Sequence, residues 1–158
     1  MADDGTTTPG APDQRTETAA LGVALAAEHA AVWGYGVVGA ALTGDARARA
    51  ATSEGAHRDL RDRLTALLDD RKADPVPAKA AYTLPFPVLS AVDAAALAVV
   101  LENGVETVWV RVLDQAASRD IRQMAVDALS GAEVRAVGWR TAAGQTPVNA
   151  AFPGLPQQ

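Results

Sequence analysis

No cysteine occurs among the 158 residues, which excludes thiolate metal sites, redox dithiols and cysteine nucleophiles. Disulfide staples are therefore unavailable, and a chain of this length can bury a core without them. The lack of cysteine leaves the compartment open. Histidine is nearly absent as well, with two residues, so any site that needs more than two imidazoles is ruled out. Positive charge is scarce: 14 Lys and Arg stand against 19 Asp and Glu, for a net charge of -5. That balance excludes a nucleic-acid binder, which needs a basic footprint to neutralise phosphates, and there is no basic stripe for an anionic membrane surface. Aromatic residues make up 4% of the chain, and no stretch shows the apolar/polar alternation of a strand.

Long hydrophobic runs are also lacking. The most apolar stretch, residues 19–42, is interrupted by Glu28 and His29, and only 13 unbroken apolar residues follow them. A membrane span needs roughly 18 or more, and an ionised Glu at mid-span costs several kcal/mol. A buried helix fits better than a membrane segment. The first sixteen residues, MADDGTTTPGAPDQRT, are small and polar with Pro and Gly. They are expected to form a disordered tail, because they carry too little apolar surface to offset the entropy of ordering. They lack the basic start and apolar run of a secretory signal, which makes a cytoplasmic location the expectation.

What is present is helical. Four long segments rich in Ala and Leu are predicted over about 17–42, 46–71, 91–117 and 120–141. Gly44 is placed to take the left-handed position after the first and Asp45 to cap the second. Between the second and third lies ADPVPAKAAYTLPFPVLS, whose four prolines forbid a regular helix. The link lengths set the topology. Turns of a few residues force antiparallel neighbours, whereas this long link can span the ~39 Å of a 26-residue helix. The predicted fold is thus all-α, a four-helix bundle made of two hairpins with one long crossover between helices 2 and 3, the connectivity of ferritin-like bundles. Residues 17–141 form the bundle, and 142–158 form an extension packed on its surface, with Phe152 and Leu155 as docking points.

Several charged residues fall on faces that should be apolar. In the first helix Leu21, Glu28, Tyr35 and Leu42 recur at seven-residue intervals, which turns Glu28 inward. In the second, Glu54, His57, Arg61, Leu64 and Leu68 form one stripe. The third presents Leu101, Val105, Val108 and Val112, with Glu102 at the edge and Glu106 one turn on. In the fourth, Val126, Leu129, Glu133 and Val137 compete with a stripe of Ala125, Ala128, Ala132 and Ala136. Converging carboxylates plus Glu54-Gly55-Ala56-His57 approximate a dinuclear metal site, in which hard oxygens and imidazoles enclose two divalent ions such as iron or manganese. The pattern is incomplete, because the residue three after Glu133 is Ala136 and His29 points away from Glu28. Arg61, with Arg58 or Arg135, offers an alternative in which guanidinium groups neutralise the carboxylates and no metal is held. This second arrangement is the favoured one.

The first helix has a second apolar stripe, Ala26, Ala30, Trp33, Val37 and Ala41, and contains Gly34, Gly36 and Gly39. Glycine inside a helix costs about 1 kcal/mol relative to alanine, so close approach of another segment is expected there. The crossover, with Tyr82, Leu84 and Phe86, is one candidate cover; a second copy in a homodimer is the other.

The strings ALAAEHAAVWGYGVVGAAL, AHRDLRDRL, AAYTLPFPV, VLE ahead of VW, and VRAVGWR followed by AFPGLP resemble a ferritin-like family of uncharacterised function from high-GC bacteria, over about residues 20–155. The resemblance implies the ferritin-like bundle, with Glu28, Glu54, His57 and Glu102 falling where the wider superfamily places metal ligands. Two functions follow as expectations. The first is a non-enzymatic helical protein acting through a partner or its own dimer, with a degenerate ligand set. The second is a metal-binding protein or oxidoreductase using those four residues and Glu133.

Overall fold

The structure is a computed structural model that describes residues 13–156. Four helices account for the regular secondary structure among the described residues: α1 (Gln14–Ala40), α2 (Gly44–Asp70), α3 (Ala91–Gln115) and α4 (Arg119–Ala142). Residues 1–12 of the expected tail lie outside the described part. Residues 13–16 differ from expectation, because Asp13 caps α1 by accepting from the Thr16 N–H at 2.7 Å and the helix starts at once. Ser90 and Ser118 cap α3 and α4 in the same way. Asp45 is not a cap: Thr43 occupies that position without a side-chain bond, and Asp45 sits in the first turn. Gly44 does take a left-handed conformation, with φ +54°, which a residue with a Cβ adopts only at a cost.

Contacts fix the directions of the rods. Glu17 meets Arg71, and Glu28 meets His57, so α1 and α2 are antiparallel. Glu17 also meets Ser118, Glu28 meets Trp109 and Tyr35 meets Glu102, so α1 and α3 are antiparallel too. It follows that α2 and α3 run the same way, and the chain between them must return along the whole bundle. It does so on the outer stripe of α1. His29 Nε2 lies 3.1 Å from the Val76 carbonyl, the Trp33 and Tyr82 rings are 5.7 Å apart, and Leu84, Phe86 and Val88 join the cluster around Val38.

Among the described residues, α1 alone is long and apolar enough to cross a membrane, and 44% of its most apolar window is buried inside the bundle. Of the four glycines on α1, only Gly34 is closely approached: a Cβ there would sit 2.6 Å from Leu101 Cδ2. Gly22 and Gly36 face open space and Gly39 has only Ala50 at 4.0 Å, so of the expected Gly34, Gly36 and Gly39 close approach explains Gly34 alone.

The inner faces of α3 and α4 are rotated from the expected stripes. In α3, Glu102, Val105, Glu106, Trp109 and Val112 are buried. In α4 the alanine face wins: Ala125, Ala128, Ala132 and Ala136 are buried, while Val126 is 42% exposed. The reason is volume. Trp109 sits in the same cluster as Ala125, Ala128 and Ala132, and a close-packed interior sets large side chains opposite small ones.

Candidate functional site

At mid-bundle the apolar core gives way to a polar layer. Glu28, His57 and Glu102 are wholly buried, each from a different helix. His57 lies between the two carboxylates, with Nδ1 2.7 Å from Glu28 Oε2 and Nε2 3.3 Å from Glu102 Oε1. The Trp109 indole N–H donates to Glu28 Oε1 at 2.8 Å. On the far side, Arg135 from α4 donates through Nε and Nη2 to the two oxygens of Glu102, at 2.8 and 3.0 Å. Tyr35 donates its hydroxyl to Glu102 Oε1 at 2.5 Å and stacks on the His57 ring, centroids 5.3 Å apart.

An ionised carboxylate only accepts, and a neutral imidazole has only one N–H, so a ring flanked by two carboxylates requires the imidazolium. Burial opposes that charge, but hydrogen bonds and charge from Glu102 and Glu28 outweigh it and raise the His57 pKa. The converse holds for Glu102, which burial pushes up but His57 and Arg135 together hold below the usual carboxylate range. Burial, reinforced by the neighbouring Glu102 charge, raises the Tyr35 phenol, which therefore stays protonated and donates. Two cations and two anions thus form a neutral layer whose members are hydrogen-bonded.

Glu54 does not belong to this layer. Its side chain is 22% exposed and pairs with Arg58 one turn along α2, at 2.5 Å. The inward position is taken by Ser53, which precedes it and is buried, because the face that carries His57, Leu64 and Leu68 continues through residues 50 and 53. Arg61 also lies at the edge, paired with Asp62, so of the arginines considered it is Arg135 that serves the core. Arg135 could be anticipated only as one of three alternatives. Trp109 as an indole donor carried no signal in the sequence beyond its helical phase.

The donor set does not fit a dinuclear metal centre. Both nitrogens of the one available imidazole are committed to carboxylates, and both oxygens of Glu102 are held by a guanidinium. Among the described residues, no group of three or more His, Asp or Glu is arranged to hold an ion.

A second polar cluster lies nearer the end of α4, beneath the C-terminal segment. Arg140 Nη1 donates to both oxygens of Glu133, at 3.0 and 2.9 Å, and to the Val148 carbonyl at 3.0 Å, while Nη2 reaches Asn103 at 2.7 Å. The Ala150 N–H donates to Glu133 Oε1 at 2.9 Å. Glu133 thus anchors the C-terminal segment, apart from the central layer. Phe152 and Leu155 are 66% and 50% exposed, and the segment comes closest to α3 at Gly154, whose missing Cβ would fall 2.6 Å from the Glu106 carbonyl. Burial, and next the adjacent Glu133 carboxylate, raise the Glu106 pKa to about 7.

No curated protein matches the chain. Among solved structures it is similar to a conserved hypothetical protein, rv2844, from Mycobacterium tuberculosis, with 38% identity and a TM-score of 0.79, over 82% of this chain and 98% of the other. A likeness of that extent shows common ancestry as well as a common four-helix fold. Residues 20–157 match a family model described as a domain of unknown function (DUF4439). The protein therefore belongs to the DUF4439 family.

Proposed function

We propose that the protein is a non-enzymatic bundle of the ferritin-like type in which a charge-balanced hydrogen-bonded layer stands where the wider superfamily holds metal. The observation that carries this proposal is the placement of the His57 ring between Glu28 and Glu102, with Arg135 bidentate on Glu102. Imidazolium and guanidinium balance the two carboxylates, Glu28 and Glu102, that metal ions would otherwise neutralise. The up-down-down-up course of the helices, with one lengthwise crossover, supports the ferritin-like assignment. Its action would be through a protein partner or a second copy of itself, in the cytoplasm, with the polar layer specifying how the four helices meet.

Metal analysis of protein purified without chelator tests the proposal. Iron and manganese well below one per chain, unchanged in Glu102→Gln and in Glu54→Ala, is the expected result. Near-stoichiometric metal that disappears in Glu102→Gln would overturn it and restore the metal-binding alternative.

A further inference from the structure

The cluster beneath the C-terminal segment is short of a cation. A cleft of about 650 Å³ is lined by Val99, Asn103, Glu106, Thr107, Arg140 and Asn149, among others. Glu106 is 2% exposed, and its Oε1 is buried without a hydrogen-bond partner among the described residues. A buried carboxylate oxygen left without a donor is costly, and native structures rarely leave one so. Arg140 does not serve it, because both of its terminal nitrogens are spent on Glu133, Asn103 and Val148.

The charges sharpen the deficit. Glu106 and Glu133 are two adjacent carboxylates facing one guanidinium, Glu102 lies one turn along α3, and the C-terminal segment from 144 to 156 carries no ionisable side chain. A proton held in a side-chain hydrogen bond between Glu106 and Glu133 can stand in for the missing positive charge, which is why burial and Glu133 together raise the affinity of Glu106 for one. A ligand that brought its own positive charge and N–H donors would displace that proton.

The geometry points to the cleft between α3, α4 and the C-terminal segment as a binding site for a small primary ammonium ion, with Glu106 as its counter-charge. An ammonium offers three donors. One would complete the bond that Glu106 Oε1 lacks, and Asn149 and Thr107, both lining residues, carry further acceptor oxygens. Val99 on the same wall favours a cation with a short hydrocarbon chain. A bare metal ion fits less well, because the Glu133 oxygens are already occupied by Arg140 and Ala150.

The test uses n-butylammonium chloride as the probe against the full chain, with n-butanol, potassium chloride and calcium chloride as controls at matched ionic strength. Binding is followed by calorimetry and by NMR shifts of the Asn103 and Asn149 side-chain amides. Saturable binding of butylammonium alone, with those two amides shifting together, is expected. In Glu106→Gln the affinity should fall at least about tenfold, since a charge-assisted bond is lost. Should that variant fail to fold, the amide shifts of the native chain decide by themselves. Absence of saturable binding, equal binding of butanol, stronger binding of either inorganic cation, or shifts that bypass Asn103 and Asn149 would each overturn the assignment.

Discussion

His57→Ala is the perturbation that probes the polar layer most directly. It removes the imidazolium and leaves Glu28, which is wholly buried, with the Trp109 N–H as its remaining donor. Breaking a buried ion pair by removing one partner costs about 3–5 kcal/mol. Glu102 suffers less, because Arg135 and Tyr35 still hold it. Water entering the space left by the ring would recover part of the loss at Glu28. A net destabilisation of about 3 kcal/mol is expected, a large share of a typical total of about 5–15 kcal/mol. Urea unfolding followed by circular dichroism, extrapolated to water, measures it. The decisive control is the cycle with Glu28→Gln. The amide introduced by that substitution keeps an acceptor for Trp109 but carries no charge, so in that background His57→Ala should cost only about 1 kcal/mol, for a coupling of about 2 kcal/mol. A single-variant loss below about 0.5 kcal/mol, or costs that add without coupling, would refute the ionic description of the layer.

The layer also sets a pH dependence. Because the folded pKa of His57 is raised above its ordinary 6.5, its contribution is fully present below that value and is lost as pH rises through the higher folded one; the Glu102 contribution, with a lowered pKa, is lost as pH falls below 4.5. Urea midpoints measured across pH should therefore decline on both sides, and His57→Gln should remove the part of the alkaline decline that lies above pH 6.5. Glu106 acts in the opposite sense to an ordinary paired carboxylate: with its pKa raised from 4.5 to about 7, its folded state loses stability as pH rises through that interval. Glu106→Gln should accordingly be more stable than the native chain at about pH 8 and not at about pH 4, by the same urea assay. Glu17 ties three elements together through Arg71 and the Ser118 N–H at 2.7 Å, and Glu17→Ala should cost about 2 kcal/mol through the orphaned N–H and guanidinium, read as a lower melting temperature. Gly36→Ala, facing open space, should stabilise by about 0.5–1 kcal/mol through helix propensity, whereas Gly34→Ala, driven against Leu101, should not; equal melting temperatures for the two variants would contradict the packing described here.

Helix number and the lengthwise crossover were legible in the linear chain, because they depend on local chemistry and on how far a given number of residues can reach. So was the inward turn of Glu28, His57 and Tyr35, since the seven-residue recurrence of α1 and the spacing of His57 with Leu64 and Leu68 mark a face whatever it packs against. Which neighbour on a helix lies inside was not legible where two residues straddle the boundary of that face. Glu54 and Ser53 are about 100° apart on α2, and either could border the core; the rotation of the rod against α1 and α3 put Ser53 inside and left Glu54 to Arg58. The same freedom placed the alanines of α4 against Trp109 and brought Arg135, not Arg61, to Glu102. Local sequence determines a helix and its periodicity, but its rotation about its own axis is decided only when all four rods pack at once, and that rotation selects which charges meet.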